Sequence, residues 1–181
     1  MTPENNFEHT PLFMTERLSV SHAMDLYLEN QNQLTDEVIE LLTPQVVKTL
    51  PEEWHNITTT EQALSWLQAR FTESDVLMIH DKPSDHVIGF MFTHDSKTQD
   101  GEDAINIGYL LGEGHWRKGY ASEVLKGLVE HYKSSSEVNT LYAGVEANNV
   151  GSIRVLEKNG FTTSSQAPKN DKSLFYELKL S

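Results

Sequence analysis

The chain has no cysteine. That excludes disulfides, a thiolate nucleophile and every cysteine-containing metal site. It also lacks any apolar run that could span a bilayer, which takes about 20 consecutive apolar residues. Residues 1–10 are polar and carry Glu4 and Glu8. A secretion signal would open on a basic stretch followed by an apolar one. A cytoplasmic location is therefore expected, and Asn56-Ile57-Thr58 has no meaning as a glycosylation acceptor without secretion. Positive charge is scarce: 14 Lys and Arg stand against 27 Asp and Glu, for a formal net charge of −13. Such a chain repels a phosphate backbone, so neither direct nucleic-acid binding nor a membrane partner is expected. Its long-range field attracts cations instead. No G-x-S-x-G elbow occurs, which argues against a serine hydrolase. No repeat or low-complexity linker interrupts the 181 residues, a length that suits one domain with one core.

Within these limits the chain reads as strands and helices. Residues 1–14 read as a loose arm ahead of a domain over 15–181. Residues 15–20 read as a strand and 24–42 as a helix broken near Thr35-Asp36. Pro44 and Pro51 bracket a connector. The spacing over 60–71 predicts an amphipathic helix with Ala63, Leu64, Leu67 and Phe71 on its buried face. Residues 76–80 and 87–92 read as a hairpin around Asp81-Lys82-Pro83-Ser84-Asp85. Residues 95–103 are polar and expected to be exposed. Further strands are predicted over 105–111, 140–146, 161–164 and 174–180. Hairpins come first and helices alternate with strands later, the pattern of an α/β (α+β) fold with a mixed sheet.

The most informative stretch is His115-Trp116-Arg117-Lys118-Gly119-Tyr120-Ala121-Ser122-Glu123, a basic turn with a glycine. It leads into a helix whose apolar positions are Ala121, Val124, Leu125, Leu128, Val129 and Tyr132. Strand, basic glycine turn and helix together make a phosphate cradle. The first N–H groups of a helix have no intrahelical partner, the dipole end is positive, and Arg117 and Lys118 add full charges. Two other phosphate motifs do not fit. A dinucleotide fingerprint would need a third glycine where Arg117 stands, and a P-loop would need Lys and Ser or Thr where Tyr120-Ala121 stand. On the turn alone, a plain strand–helix connection with surface charges reads equally well. A second block, Asn149 to Phe161, favours the cradle. Asn149 has the chemistry of an N-cap, with Ser152 three residues on. Ile153 and Leu156 face inward, and Gly160 sits where a left-handed C-terminal residue is wanted.

Together the two blocks resemble the GCN5-related N-acetyltransferase (GNAT) superfamily, and more closely its RimJ/RimL-type branch of ribosomal-protein N-terminal acetyltransferases. That branch has a strand ending I-G-Y, a W-x-K-G-Y-A turn, a helix, and then N-x-x-S-x-x-V-L-E-K-x-G-F. Here these are Ile107-Gly108-Tyr109, Trp116 to Ala121, and Asn149 to Phe161. Thr15-Glu16-Arg17-Leu18 is similar to the branch's first strand. The wider superfamily prefers Gln or Arg where Trp116 stands. The resemblance is specific in the second half and loose over residues 19–75.

The resemblance implies a single GNAT-like domain: a mixed, mostly antiparallel sheet with helices on both faces and a splayed central strand pair. The pair would be the strand ending at Tyr109-Leu110-Leu111 and the strand over 141–145. Acetyl-CoA is the implied donor, with no metal. Its implied contacts are Leu110, Leu111, Arg117, Lys118, Gly119, Tyr120, Ala121, Ser122, Asn149 and Lys158. The pyrophosphate would sit on the turn over 117–121, with Lys158 at the adenosine phosphates. A backbone N–H around Leu110 would stabilise the negative charge that develops on the carbonyl oxygen. Ser152 or Asn149 would lie near the sulfur.

The implied general base departs from the branch, which commonly carries glutamate before I-G-Y. This chain has Asn106, which cannot take a proton at neutral pH. Three readings follow: a base elsewhere, a water chain, or no need for a strong base. An α-amino group has a pKa of about 7.7–8.0 against about 10.4 for lysine, so roughly a tenth of it is already neutral near pH 7. A base-poor site therefore favours an N-terminal or otherwise low-pKa amine. The acidic surface, including Asp36, Glu37, Glu40, Glu52, Glu53 and Glu61, suits a cationic acceptor, whereas Arg117, Lys118, Lys126, Arg154 and Lys158 fall near the phosphate turn. The expected activity is acetyl transfer to a primary amine, foremost the N-terminal α-amine of a ribosomal protein. The alternatives are a small cationic amine (polyamine, amino acid or aminoglycoside) and a non-catalytic acetyl-CoA-binding module. His80, His86 and His94, with Asp81, Asp85 and Asp95 nearby, lack ligand spacing and read as solvated hairpin residues. His115 borders the turn. Trp54 and Trp66 read as packing residues, with Trp54 also a candidate for a substrate loop.

Overall fold

Strands of alternating apolar residues assemble into one eight-stranded sheet in the computed structural model, which describes residues 10–165 and 172–180. The spatial order is β1 (Phe13–Met14), β2 (Leu18–His22), β3 (Asp75–Asp81), β4 (His86–Lys97), β5 (Asp103–Leu111), β6 (Thr140–Glu146), β8 (Ser173–Lys179) and β7 (Thr162–Thr163). Every neighbouring pair is antiparallel except β5 and β6. Four helices lie between β2 and β3 in sequence: α1 (Ala23–Glu29), α2 (Gln31–Leu41), α3 (Pro44–Val47) and α4 (Thr60–Glu73). Helix α5 (Tyr120–Ser135) joins β5 to β6, and α6 (Val150–Lys158) joins β6 to β7. This is the mixed, mostly antiparallel single domain that the resemblance implies.

Successive side chains of a strand point to opposite faces, so each strand feeds two cores. Strand β3 sends Leu77 and Ile79 to one face, where they meet Val124, Leu125 and Leu128 of α5 and Leu156 of α6. It sends Val76 and Met78 to the other, where they meet Leu34 and Val38 of α2 and Ala63, Trp66 and Leu67 of α4. Each such side chain contributes about 1.5–3 kcal/mol on burial, which makes these two layers the main stabilising contacts of the sheet. A shift in the β3–β4 register leaves Ile88 as an extra residue. The bulge resets the alternation, so Ile88 and Met91 face α5 while Val87 and Phe90 face α4.

Several expectations are corrected by longer-range contacts. The helical stretch after β2 breaks at Asn30, not at Thr35-Asp36. The Asn30 side chain accepts from the Gln33 backbone N–H and caps α2, whereas Thr35 returns its hydroxyl to the Asn32 carbonyl and stays helical. Helix α4 opens on a capping box between Thr59 and Gln62. Its buried positions are Ala63, Trp66, Leu67 and Arg70, and Leu64 and Phe71 are only half-buried. Arg70 is accommodated there because its guanidinium lies 4.9 Å from the centre of the Trp54 ring. Residues 95–103 are mostly exposed, as expected, but β4 and β5 extend into 95–97 and 103, beyond the predicted strands, and the Lys97 ammonium meets the Asp103 carboxylate at 2.5 Å. Phe13 and Met14 are not part of a loose arm, since they pair with Val20 and Ser19. Residues 1–9 of that arm lie outside the described residues.

One feature of the sheet positions the site. Strands β5 and β6 pair in parallel only from Ala104 opposite Thr140 to Ile107 opposite Ala143. Past that point the two strands part, and residues 108–111 have no strand neighbour on the β6 side.

Candidate active site

The turn after β5 is held by contacts from both ends. The Trp116 indole N–H donates to the Leu111 carbonyl at 2.8 Å, closing a loop that contains the 3-10 turn Glu113–His115. Arg117 (φ 61) and Gly119 (φ 81) both adopt left-handed backbone conformations. Glycine takes that conformation without strain, and here it is the residue on which α5 begins. Glu123 is the first helix residue whose N–H is bonded, to the Gly119 carbonyl at 3.0 Å. The N–H groups of Tyr120, Ala121 and Ser122 therefore remain available, the chemistry of an anion site.

Arg17 braces this turn from behind. Its Nε donates to Glu123 at 2.6 Å and its Nη1 to the Lys118 carbonyl at 2.9 Å, while the guanidinium lies 4.2 Å from the centre of the Tyr120 ring. Glu123 also accepts from the Thr15 hydroxyl at 2.6 Å and the Arg17 backbone N–H at 2.8 Å. Burial alone would push the Glu123 carboxyl upward; the hydrogen bonds from Thr15 and Arg17 outweigh it and hold the group below the usual carboxylate value. His115, beside the turn, sits below its ordinary value, first through burial and then through the charge of Lys118.

A groove of about 650 Å³ runs from the parted end of β5 across the starts of α5 and α6 to α3. Leu110, Leu111, Arg117, Gly119, Tyr120, Ala121, Ser122, Asn149, Ser152 and Lys158 all line it. Two residues singled out in the sequence do not. Lys118 contributes its carbonyl to Arg17 rather than its side chain to the wall. Asn106 is exposed on β5, opposite His94 and Tyr142, and lines neither this groove nor the cavity next to it. Lys48 and Arg154 join Arg117 and Lys158 in making the groove locally basic. Asn149 caps α6 by accepting from the Ser152 N–H at 3.2 Å, and its amide donates to the Thr49 hydroxyl at 3.4 Å. That second bond ties α6 to the segment after α3 across the groove.

A second cavity of about 320 Å³ lies between the parted strands and shares Thr49, Leu50, Tyr109, Asn149 and Ser152 with the groove. Its walls include Trp54, Phe92, Phe175 and Glu146. Trp54 packs edge-on against Trp66 and Phe92, with ring centres 5.3 and 5.1 Å apart, so it is both a packing residue and a wall residue. At the junction the Tyr109 hydroxyl is buried near the Ser152 hydroxyl and makes no well-formed hydrogen bond to it or to any other described residue. Burial pushes this phenol upward in pKa, with Ser152 acting in the opposite direction. A neutral phenol with an unused donor can hydrogen-bond or protonate a leaving group where the two cavities meet. Sequence reasoning used Tyr109 only as part of a strand end and overlooked Arg17, Thr49 and Glu146. The I-G-Y and T-E-R-L signatures were the available signals for the first two.

Residues 21–162 match the family model for the acetyltransferase (GNAT) domain. The chain belongs to the GNAT acetyltransferases. Its domain is an N-acetyltransferase domain with acetyl-CoA as acyl donor. This GNAT chain is 26% identical over 164 residues to a ribosomal-protein-serine acetyltransferase of Escherichia coli, covering 82% of this chain and 84% of that protein. It is 36% identical to the uncharacterized N-acetyltransferase p20 of Bacillus licheniformis over 80 residues, a match that spans 44% of each chain. In fold it is similar to RimL, a ribosomal L7/L12 alpha-N-protein acetyltransferase solved with coenzyme A. The TM-score is 0.73 at 17% identity, over 94% of this chain and 98% of that one. The free helix N–H groups, the four basic residues and the parted strands fit an anionic, extended donor such as acetyl-CoA. Among the described residues no group of three or more His, Asp or Glu could hold a metal ion, and no helix is long and apolar enough to cross a membrane.

Proposed function

We propose that this GNAT domain acetylates the N-terminal α-amine of a protein, with a ribosomal protein as the acceptor. The observation that carries this reading is the cavity that meets the donor groove at Tyr109, Asn149 and Ser152, whose described wall has no histidine or lysine and Glu146 as its one carboxylate. An α-amine needs the least help, since its pKa of about 7.7–8.0 leaves part of it neutral near pH 7. The similarity to the E. coli ribosomal-protein-serine acetyltransferase over most of both chains supports the choice of acceptor.

Acetyl-CoA supplies the activated thioester. Gly119 and the N–H groups of Tyr120, Ala121 and Ser122, with Arg117, bind its pyrophosphate, and Arg154 and Lys158 meet the adenosine end. A backbone N–H near Leu110 stabilises the charge that develops on the carbonyl oxygen. The amine nitrogen bonds to the acetyl carbon as the C–S bond breaks; the Tyr109 hydroxyl gives its proton to the departing thiolate, with Ser152 beside it, and the proton that the nitrogen sheds restores the phenol. Asn149 keeps Ser152 in place through the cap. Acetylation of a small cationic amine is the second reading, and the modest size of the cavity favours it.

The test is incubation with acetyl-CoA and a mixture of ribosomal proteins, read by peptide mass spectrometry. Acetyl groups on the α-amine of one or a few proteins are expected. Acetylation confined to lysine side chains would overturn the choice of amine. Absence of any thermal shift with CoA would overturn the donor assignment, because a ligand at 100 times its Kd stabilises by about 2.7 kcal/mol.

A further inference from the structure

We infer that Glu146 selects the acceptor: it holds the ammonium group of the incoming amine and turns away amines that carry a carboxylate beside them. The inference rests on the assignment of the second cavity as the acceptor site. Glu146 ends β6, opposite Ser173 of β8. Along β6, Leu141, Ala143 and Val145 go into the core under α5 and α6. Strand alternation turns Tyr142, Gly144 and Glu146 away from that core, and Glu146 lines the cavity in the gap between the strands with Trp54, Phe92 and Phe175, together with Ala143 and Val145.

Glu146 is the only charged residue on that wall among the described residues. Its carboxylate makes no hydrogen bond or ion pair with any described side chain, unlike Glu123, Glu157 and Glu177, each of which has a partner. An unpaired carboxylate in a cavity otherwise walled by apolar and uncharged side chains is a recognition pattern for an ammonium group. The carboxylate supplies the counter-charge, and the apolar walls around it leave it no competing partner. No described Lys or Arg faces the cavity to neutralise a second negative charge. A free amino acid brings a carboxylate one carbon away from its amine, close to Glu146 in a site partly screened from water. A peptide N-terminus or an amino-acid amide brings none. The acceptor class is therefore a cationic amine with an uncharged carbonyl neighbour, which sets protein N-termini apart from free amino acids.

The experiment is calorimetric titration of the CoA-loaded protein near neutral pH with L-leucinamide and with L-leucine. The two probes share a side chain and an amine and differ in the carboxylate. Leucinamide is expected to bind at least roughly tenfold more tightly than leucine. E146Q should remove most of that gap, E146D should retain it, and E146K should reverse it, with CoA affinity unchanged in all three. Equal binding of the two probes, no binding of either, or a gap that survives in E146Q would overturn the inference. The same titration without CoA reads Glu146 independently. Loss of CoA binding by the wild type would count against the donor assignment, while the leucinamide preference would still decide the role of Glu146.

Discussion

At the scale of single residues, Glu123 joins segments that are far apart in sequence. It receives Thr15, the backbone N–H of Arg17 and the Arg17 side chain, and so fixes the β1–β2 link to the first turn of α5. Because these bonds hold its pKa below the unfolded value, its contribution to stability is fully present above the ordinary carboxylate pKa of about 4.3. It is lost as pH falls through the folded value, where both states are protonated. E123Q is expected to cost about 1.5–3 kcal/mol near neutral pH, the scale of a hydrogen bond to a charged group. Its urea stability should also be flatter than that of the wild type as the pH drops below about 5. Parallel pH profiles for the two proteins would refute the account. Cap residues such as Asn149 and Gly160 were legible in the sequence because their partners lie within three or four positions. Arg17 was not, because its partners lie about a hundred positions away.

At the scale of elements, helix α5 and strand β1 approach closely at Gly127. A methyl group on Gly127 would stand 2.7 Å from Cγ2 of Thr15 and 2.8 Å from Cε2 of Phe13. Helix propensity alone predicts that Gly127→Ala stabilises α5 by up to about 1 kcal/mol. The contact predicts the reverse, a loss of about 1–3 kcal/mol from overpacking, and thermal or urea denaturation reads the sign directly. A more stable variant would mean that β1 does not dock on α5 as described. The periodic spacing of apolar residues made α5, α6 and the paired strands visible in advance. It misplaced the α1–α2 break and the buried face of α4, since Asn30 competes as a local cap and Trp66 and Arg70 are claimed by Trp54, Phe90 and Phe92.

For the molecule as a whole, the excess of acidic residues is not spread evenly over the two cavities. The larger groove is lined by Lys48, Arg117, Arg154 and Lys158, and the smaller cavity has Glu146 alone among the described charged residues. With a net charge of −13, the field speeds the approach of a cationic acceptor and is weakened by salt, whose screening length is about 10 Å at 0.1 M. Raising the ionic strength should therefore lower kcat/KM for a cationic acceptor, with less effect on the CoA affinity of the locally basic groove. Stopped-flow or steady-state rates across a salt series decide it, and salt-independent acceptor kinetics would refute it. Composition and local patterning by themselves determined the absence of cysteine chemistry, the order of most elements, the basic glycine turn before α5 and the capped helix α6, because each depends on residues near one another in the chain. Only the tertiary structure decided where β5 and β6 part, how Arg17 supports the turn, and that Glu146 shares a cavity with Trp54, Phe92 and Phe175. Those are contacts between distant segments, set by the packing of both faces of the sheet, and no local pattern encodes them.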